Sequence, residues 1–266
     1  MPNRLSRLDV ELVRRGLARS RGHAAELITA GQVEVRGVAA TKVATAVGAE
    51  VPIRVVTPSD TPDYASRGGR KLVGALEVFT GVDIAGRRCL DAGASTGGFT
   101  DVLLRAGAAS VVAVDVGYGQ LAWRLRTDER VQVLDRTNVR TLTPDAIGGV
   151  ADVTVADLSF ISLALVLPAL SLCTAPDGDL IPMVKPQFEV GRERLGSGGV
   201  VRDPSHRAAA VRGVVEQAGA LGWGLMQVAA SPLPGPAGNV EFFVWLRREA
   251  ARVDGAGLDA VVMGER

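Results

Sequence analysis

The feature that most constrains the fold is a recurring unit: an apolar run followed by a segment of helical periodicity. RRCLD, SVVAVD, VQVLD, ADVTVAD, GDLIPMVK and NVEFFVWL read as strands, with helical patterns such as Gly97–Arg105 and Ile161–Cys173 between most of them. Continuous apolar runs alternating with helices predict a mostly parallel, doubly wound α/β sheet with both faces covered. Asp91, Asp115, Asp157 and Lys185 each close such a run. In a doubly wound sheet these ends share one edge, where ligands bind. Four polar residues on that edge predict a site.

The first of these ends opens into CLDAGASTGGFT, residues 89–100. Its glycines are Gly93, Gly97 and Gly98. The dinucleotide fingerprint requires a glycine where Ser95 stands, and the phosphate loop requires a lysine where Phe99 stands. A ligand without a phosphate chain, such as S-adenosylmethionine, needs only close backbone approach, a polar anchor and an acid for its ribose. Gly93, Ala94, Ser95, Gly97, Gly98 and Phe99 are the candidate cradle, and Asp91 the anchor for the cationic amino-acid part. Asp115, 22 residues after Gly93, stands where a carboxylate meets ribose hydroxyls. The plain alternative is a strand-to-helix turn whose glycines only ease packing.

Ahead of the sheet lies a smaller module. Asp9–Leu17 has helical spacing, Ser20 is a candidate N-cap for a second helix ended by Gly31, and QVEVRG and VGAEVPIRVV read as strands. Residues 1–60 carry nine Lys/Arg against six Asp/Glu, so a net +1 chain divides into a +3 module and a −2 remainder. That asymmetry points to a polyanion-binding appendage, with a merely solvated basic face as the alternative. The turn-rich TPSDTPD (57–63) marks a boundary. The expected organisation is a polyanion-binding domain at 1–60, a linker at 61–66, the α/β domain at 67–248 and a weakly ordered tail at 249–266. Cys89 and Cys173 make neither a disulfide framework nor a metal set, which fits a reducing, cytoplasmic setting. The polar start lacks a signal-peptide pattern, and no apolar run is long enough to span a bilayer, so no membrane partner is expected.

Five stretches carry a resemblance: SRGGRKL, VADLSFISL, VKPQFEVG, PLPGPAGNVEFFVWL and the glycine loop. In this order they resemble the TlyA family of rRNA ribose methyltransferases, similar in catalytic domain to FtsJ-like 2′-O-methyltransferases. The stretch RLDVELVRRGLARSRGHAAELITAGQVEVRG resembles the RNA-binding domain first seen in small ribosomal protein S-four. The resemblance spans roughly residues 4–248. It implies a Rossmann-like S-adenosylmethionine-dependent methyltransferase fold, a cytidine ribose substrate, and ribosomal RNA or ribosomal subunits as partners. It also implies a catalytic Lys-Asp-Lys-Glu tetrad, which falls on Lys71, Asp157, Lys185 and Glu241. The chemistry agrees: a ribose hydroxyl is a poor nucleophile, and a lysine accepts its proton only when brought below its usual ~10.4. Lys185 is the candidate base, Asp157 its orienter, and Lys71 and Glu241 tune the pair. Taken singly, Lys71 also reads as a surface charge, Lys185 as a strand end and Asp157 as a helix cap.

Arg4, Arg7, Arg19, Arg21, Arg36 and Lys42 are candidate phosphate contacts, with Arg67 and Arg70 extending the track beside Lys71. EVGRERLGSGGVVRD (189–203) reads as a mobile loop over the substrate. The family's linker often carries Arg and Trp before SRG; Asp63 and Tyr64 stand there in this chain. Two rival functions are an RNA-binding assembly factor with an idle enzyme domain, opposed by the intact loop and tetrad, and a membrane-acting haemolysin. A dehydrogenase fails on the glycine pattern.

Overall fold

A computed structural model of the chain describes residues 5–36, 38–48, 50–55, 64–248, 250 and 255–264. It divides into two compact units, Met1–Pro62 and Asp63–Arg266.

The first unit contains β1 (Ser6–Arg7), α1 (Leu8–Arg14), α2 (Arg21–Thr29), β2 (Val33–Val35), β3 (Val38–Ala39), β4 (Ala46–Val47) and β5 (Ile53–Val55). Gly16, at φ +70°, turns the chain after α1. The Ser20 hydroxyl accepts the His23 amide at 3.2 Å and caps α2, as its sequence position predicts. Leu8, Leu12, Ala24, Ile28, Val33 and Val47 form the core. One expectation is corrected. VGAEVPIRVV is not one strand: β4 pairs with β1, whereas β5 pairs with β2 in a separate three-stranded sheet. A turn closed by the Val51 amide on the Gly48 carbonyl divides them.

The second unit runs through α3 (Gly68–Val78), β6 (Arg88–Ala92), α4 (Gly98–Arg105), β7 (Ser110–Val114), α5 (Trp123–Arg126), β8 (Val131–Leu134), α6 (Pro144–Ile147) and β9 (Ala151–Ala156). It continues with α7 (Leu167–Cys173), β10 (Thr174–Val184), α8 (Pro186–Glu189), α9 (Pro204–Ala220), β11 (Gly224–Ala230), β12 (Phe242–Arg247) and α10 (Gly255–Met263). Its seven strands lie in the order β11-β12-β10-β9-β6-β7-β8, and only β12 is antiparallel to its neighbours. This is the doubly wound, mostly parallel architecture expected from the alternating runs. Alternate residues of each central strand enter two cores: Cys89, Val111, Val153 and Ile181 on one face, and Leu90, Val112, Ala156 and Leu180 on the other. Burying one Val or Leu side chain contributes about 1.5–3 kcal/mol, so burial on both faces fixes these strands more strongly than β propensity does.

Two segments differ from the sequence reading. β11 is an edge strand absent from the predicted set. Residues 255–263 of the expected weakly ordered tail form a helix, because Leu258 and Val262, four residues apart, bury themselves in the core.

Candidate active site

Successive strands run outward from β6 in one direction and from β9 in the other, so the β6/β9 boundary is the switch point at which such sheets bind ligands. The GASTGG loop leaves β6 there. Gly93 and Gly97 have φ of +90° and +95°, and Ser95 also takes a left-handed φ of +48°. The three glycines serve different neighbours. A methyl carbon at Gly93 would lie 2.5 Å from the Asp157 carbonyl oxygen. One at Gly97 would lie 2.8 Å from Leu121, and one at Gly98 would lie 2.8 Å from the Gly69 amide and run into the Ser66 hydroxyl. The loop is therefore seated against both the Asp157 turn and the SRGG turn.

Asp91 is fully buried. One carboxylate oxygen accepts the Thr100 hydroxyl at 2.6 Å, and the other has no hydrogen-bond partner within the protein. Burial pushes its carboxyl up to about 7, against the pull of the Thr100 bond. A buried carboxylate oxygen without a donor fits a ligand cation such as an amino group. Asp115 accepts the Ser95 amide at 2.8 Å and the Gly117 amide at 2.7 Å. These two bonds orient a carboxylate in the position expected of a ribose acid. Ala94 is buried beneath the loop. The Phe99 ring packs 5.9 Å from that of Phe243 in the core, so a place in the cradle falls to its backbone. A large apolar side chain one residue into α4 follows the buried face of that helix.

The tetrad positions form two ion pairs. Lys185 Nζ lies 2.5 Å from Asp157 Oδ1 and donates to the Ser159 hydroxyl at 2.8 Å. Lys71 Nζ donates to Glu241 Oε2 at 2.5 Å, with both side chains buried. The strands explain how they meet. Val184 on β10 faces Phe242 on β12, so the next step of that antiparallel register sets Lys185 opposite Glu241. Asp157 follows β9 and is fixed by its amide bond to the Ala92 carbonyl at 3.0 Å. Lys71 projects from α3, which lies so near PLPGPAGN that a methyl carbon at Gly74 would be 2.6 Å from Pro232. At Gly235 it would be 2.6 Å from Glu241 Oε1. The reading of Lys71 as a surface charge is thus excluded: the residue is 5% exposed.

Further residues of this edge were not read from the sequence. Phe160 is 91% exposed at φ +62°, with its ring 5.3 Å from that of Phe188. A bulky aromatic held there is strained. Asp135 closes β8 as Asp115 closes β7, accepts Arg126 at 2.9 Å, and is held below the usual carboxylate range by it. The VQVLD run carried that signal. Asn239 binds the 189–203 loop at both Val201 (2.9 Å) and Gly199 (3.1 Å), so the far end of that loop is anchored.

Of the candidate RNA contacts, Arg67 is exposed and Arg70 half-buried. In the first unit Arg7, Arg19, Arg21, Arg36 and Lys42 are exposed, and Arg4 lies outside the described residues. Arg7 and Arg21 both bind buried Asp9, at 2.9 and 2.8 Å. The Arg7 hydrogen bond is the main cause holding that carboxyl down at about 2. Tyr64, where the family's linker often has Trp, lies under the Arg105 guanidinium at 4.8 Å; Asp63 is outside the described residues.

This sheet, with its glycine loop at the switch point, places the second unit in the methyltransferase class of Rossmann-like folds. Residues 64–248 match the FtsJ-like methyltransferase family and residues 6–53 the S4 domain. The 16S/23S rRNA (cytidine-2'-O)-methyltransferase TlyA of Mycobacterium tuberculosis is 62% identical over 97% of this chain and 96% of its own length. Hemolysin A of Brachyspira hyodysenteriae is 35% identical over 89% of this chain and 97% of its own. A solved structure from Streptococcus thermophilus, whose name carries the word hemolysin, covers 98% of this chain and 96% of its own, with a TM-score of 0.78 and 36% identity. The chain belongs to the TlyA family of FtsJ-like methyltransferases.

Proposed function

We propose that the protein methylates cytidine ribose 2′-hydroxyls of ribosomal RNA, with S-adenosylmethionine as methyl donor. The observation that carries this reading is the Lys185–Asp157 ion pair, set at 2.5 Å on the edge where the glycine loop leaves the sheet. Bound there, S-adenosylmethionine supplies an electrophilic methyl group on a sulfonium. Asp91 would hold its amino group and Asp115 its ribose, with the backbone from Gly93 to Gly98 closing around it.

In its neutral amine form Lys185 takes the hydroxyl proton as the ribose oxygen attacks, and Asp157 holds the resulting ammonium in line. Lys71 and Glu241 neutralise each other beside them. With Lys185 as the neutral amine the two lysines and two carboxylates carry one net negative charge, which becomes zero when the hydroxyl proton arrives. Alignment of oxygen and methyl carbon supplies most of the rate. Phe160 offers its exposed ring as a platform for an unstacked base, an interaction worth about 1–3 kcal/mol per base.

Arg7, Arg19, Arg21, Arg36 and Lys42 would hold phosphates of rRNA or of a ribosomal subunit, and a cytoplasmic setting belongs to the same reading. Among the described residues no helix is long and apolar enough to cross a membrane.

The test is single-turnover methylation of rRNA by Lys185 variants, with the modified ribose mapped by mass spectrometry. Lys185→Ala and Lys185→Arg should both lose transfer while keeping cofactor affinity, because a guanidinium stays protonated. An active Lys185→Arg enzyme would remove the base from this residue.

A further inference from the structure

The loop Asp157–Leu163 and the turn Lys185–Glu189 leave neighbouring strands and are joined by three successive contacts. Closest to the sheet, Lys185 binds Asp157 and Ser159. Next, Phe188 meets Phe160. Outermost, the Glu189 carboxylate accepts the Ser162 hydroxyl at 2.6 Å and the Leu163 amide at 2.8 Å. Residues 157–162 have no helix or strand of their own. Their inner end is held by the Asp157 amide on Ala92 and their outer end by Glu189. Burial pushes the Glu189 carboxyl up, and its bonds to Leu163 and Ser162 oppose that. A carboxylate desolvated to this extent is held by those two donors.

We propose that Glu189 is a positioning residue for methyl transfer: it tethers the Asp157–Leu163 loop so that Lys185 need not. Without this carboxylate, the polar contacts from the Lys185 turn to the loop are those made by the Lys185 side chain. A lysine that must hold a loop in place is not free to turn toward a hydroxyl and take its proton. With Glu189 in place, Ser159 and Asp157 stay over Lys185 while its own bonds break and re-form. This rests on the base role given to Lys185 above. The competing explanation is that Glu189 merely caps the turn at Leu163–Leu165. Ser162 already does that through its bond from the Ala164 amide at 3.2 Å.

The full chain is assayed with rRNA under single-turnover conditions, alongside cofactor affinity and thermal stability. Glu189→Ala should lower the rate of transfer about 10- to 100-fold, with cofactor affinity within about twofold of wild type. Glu189→Gln should restore most of the rate, since its amide oxygen accepts from Leu163 and its amide nitrogen donates to Ser162. Ser162→Ala should cause part of the loss and add nothing in the Glu189→Ala background. The proposal is overturned by a Glu189→Ala enzyme of wild-type rate, by a Gln variant as slow as the Ala variant, or by additive Ser162 and Glu189 effects. Should Glu189→Ala fail to fold, Gln and Ser162→Ala decide: a slow Gln variant, or a silent Ser162→Ala, overturns the tether. Retained activity in Lys185→Arg would instead end the base role, whatever Glu189 does.

Discussion

Lys71 and Glu241 are 170 residues apart in sequence, yet their charged atoms stand 2.5 Å apart with both side chains almost wholly buried. Removing one member leaves the other charged in the protein interior, which costs about 3–5 kcal/mol. Glu241→Ala and Lys71→Ala should therefore each lower the denaturation midpoint clearly. The pair Lys71→Met with Glu241→Leu should recover most of that stability and still methylate poorly. Chemical denaturation and single-turnover assays on the three variants check this. A fully active double variant would show the pair to be structural.

The cofactor role proposed for Asp91 predicts that binding depends on pH. Its folded carboxyl is raised to about 7, against about 3.9 in an unfolded chain. Between those values the folded state holds a proton that the unfolded state has released, so the group's contribution to stability falls as pH rises from ~4 to ~7. A ligand cation favours the ionised form. S-adenosylmethionine affinity should rise between about pH 6 and 7.5 with release of a proton, and Asp91→Asn should lose that component. Calorimetry in two buffers of different ionisation heat measures it directly.

Gly98 joins the cofactor loop to the turn before Lys71. A methyl group there would meet the Gly69 amide at 2.8 Å and the Ser66 hydroxyl. Gly98→Ala should separate the two turns, weaken cofactor binding and slow transfer, although its helical backbone tolerates alanine. Fluorescence titration with S-adenosylmethionine, compared with the unobstructed helical control Gly213→Ala, tests the steric account; equal affinities would refute it.

Deleting residues 1–60 should leave the methyltransferase unit folded, because among the described residues its cores are built from the second unit. RNA affinity should fall, and the slope of log affinity against log salt should flatten by about 0.9 for each lost duplex phosphate contact. Filter binding across a salt series gives the slope. An unchanged slope would give the basic module another task.

The strand ends were legible because burial on both faces produces continuous apolar runs, and the polar residue that stops each run marks the ligand edge. Asp91, Asp115, Asp157 and Lys185 were found in that way. Lys71 and Glu241 were different: one lies inside a helix and the other before an antiparallel strand, so motif resemblance assigned them where the strand ends did not. Glu189 and Phe160 gave no signal, since their roles depend on which loops lie side by side. The inward turn of the Phe99 ring was not legible, because sequence places the residue beside the loop glycines and only helix geometry directs its side chain to the core. In VGAEVPIRVV the Gly48–Val51 turn lies inside an otherwise strand-like run, so the two short strands read as one.

The span from Lys71 to Glu241 also sets an order of events during synthesis. A ribosome that has read as far as residue 230 has made the complete basic module, the glycine loop and three of the four tetrad residues. The carboxylate that accepts Lys71 is still untranslated. A chain ended by a premature stop codon anywhere between Pro62 and Val240 thus keeps a compact first unit with its own core and lacks the paired site. Such fragments would compete for RNA without modifying it, and a nonsense allele would differ in kind from a gene deletion.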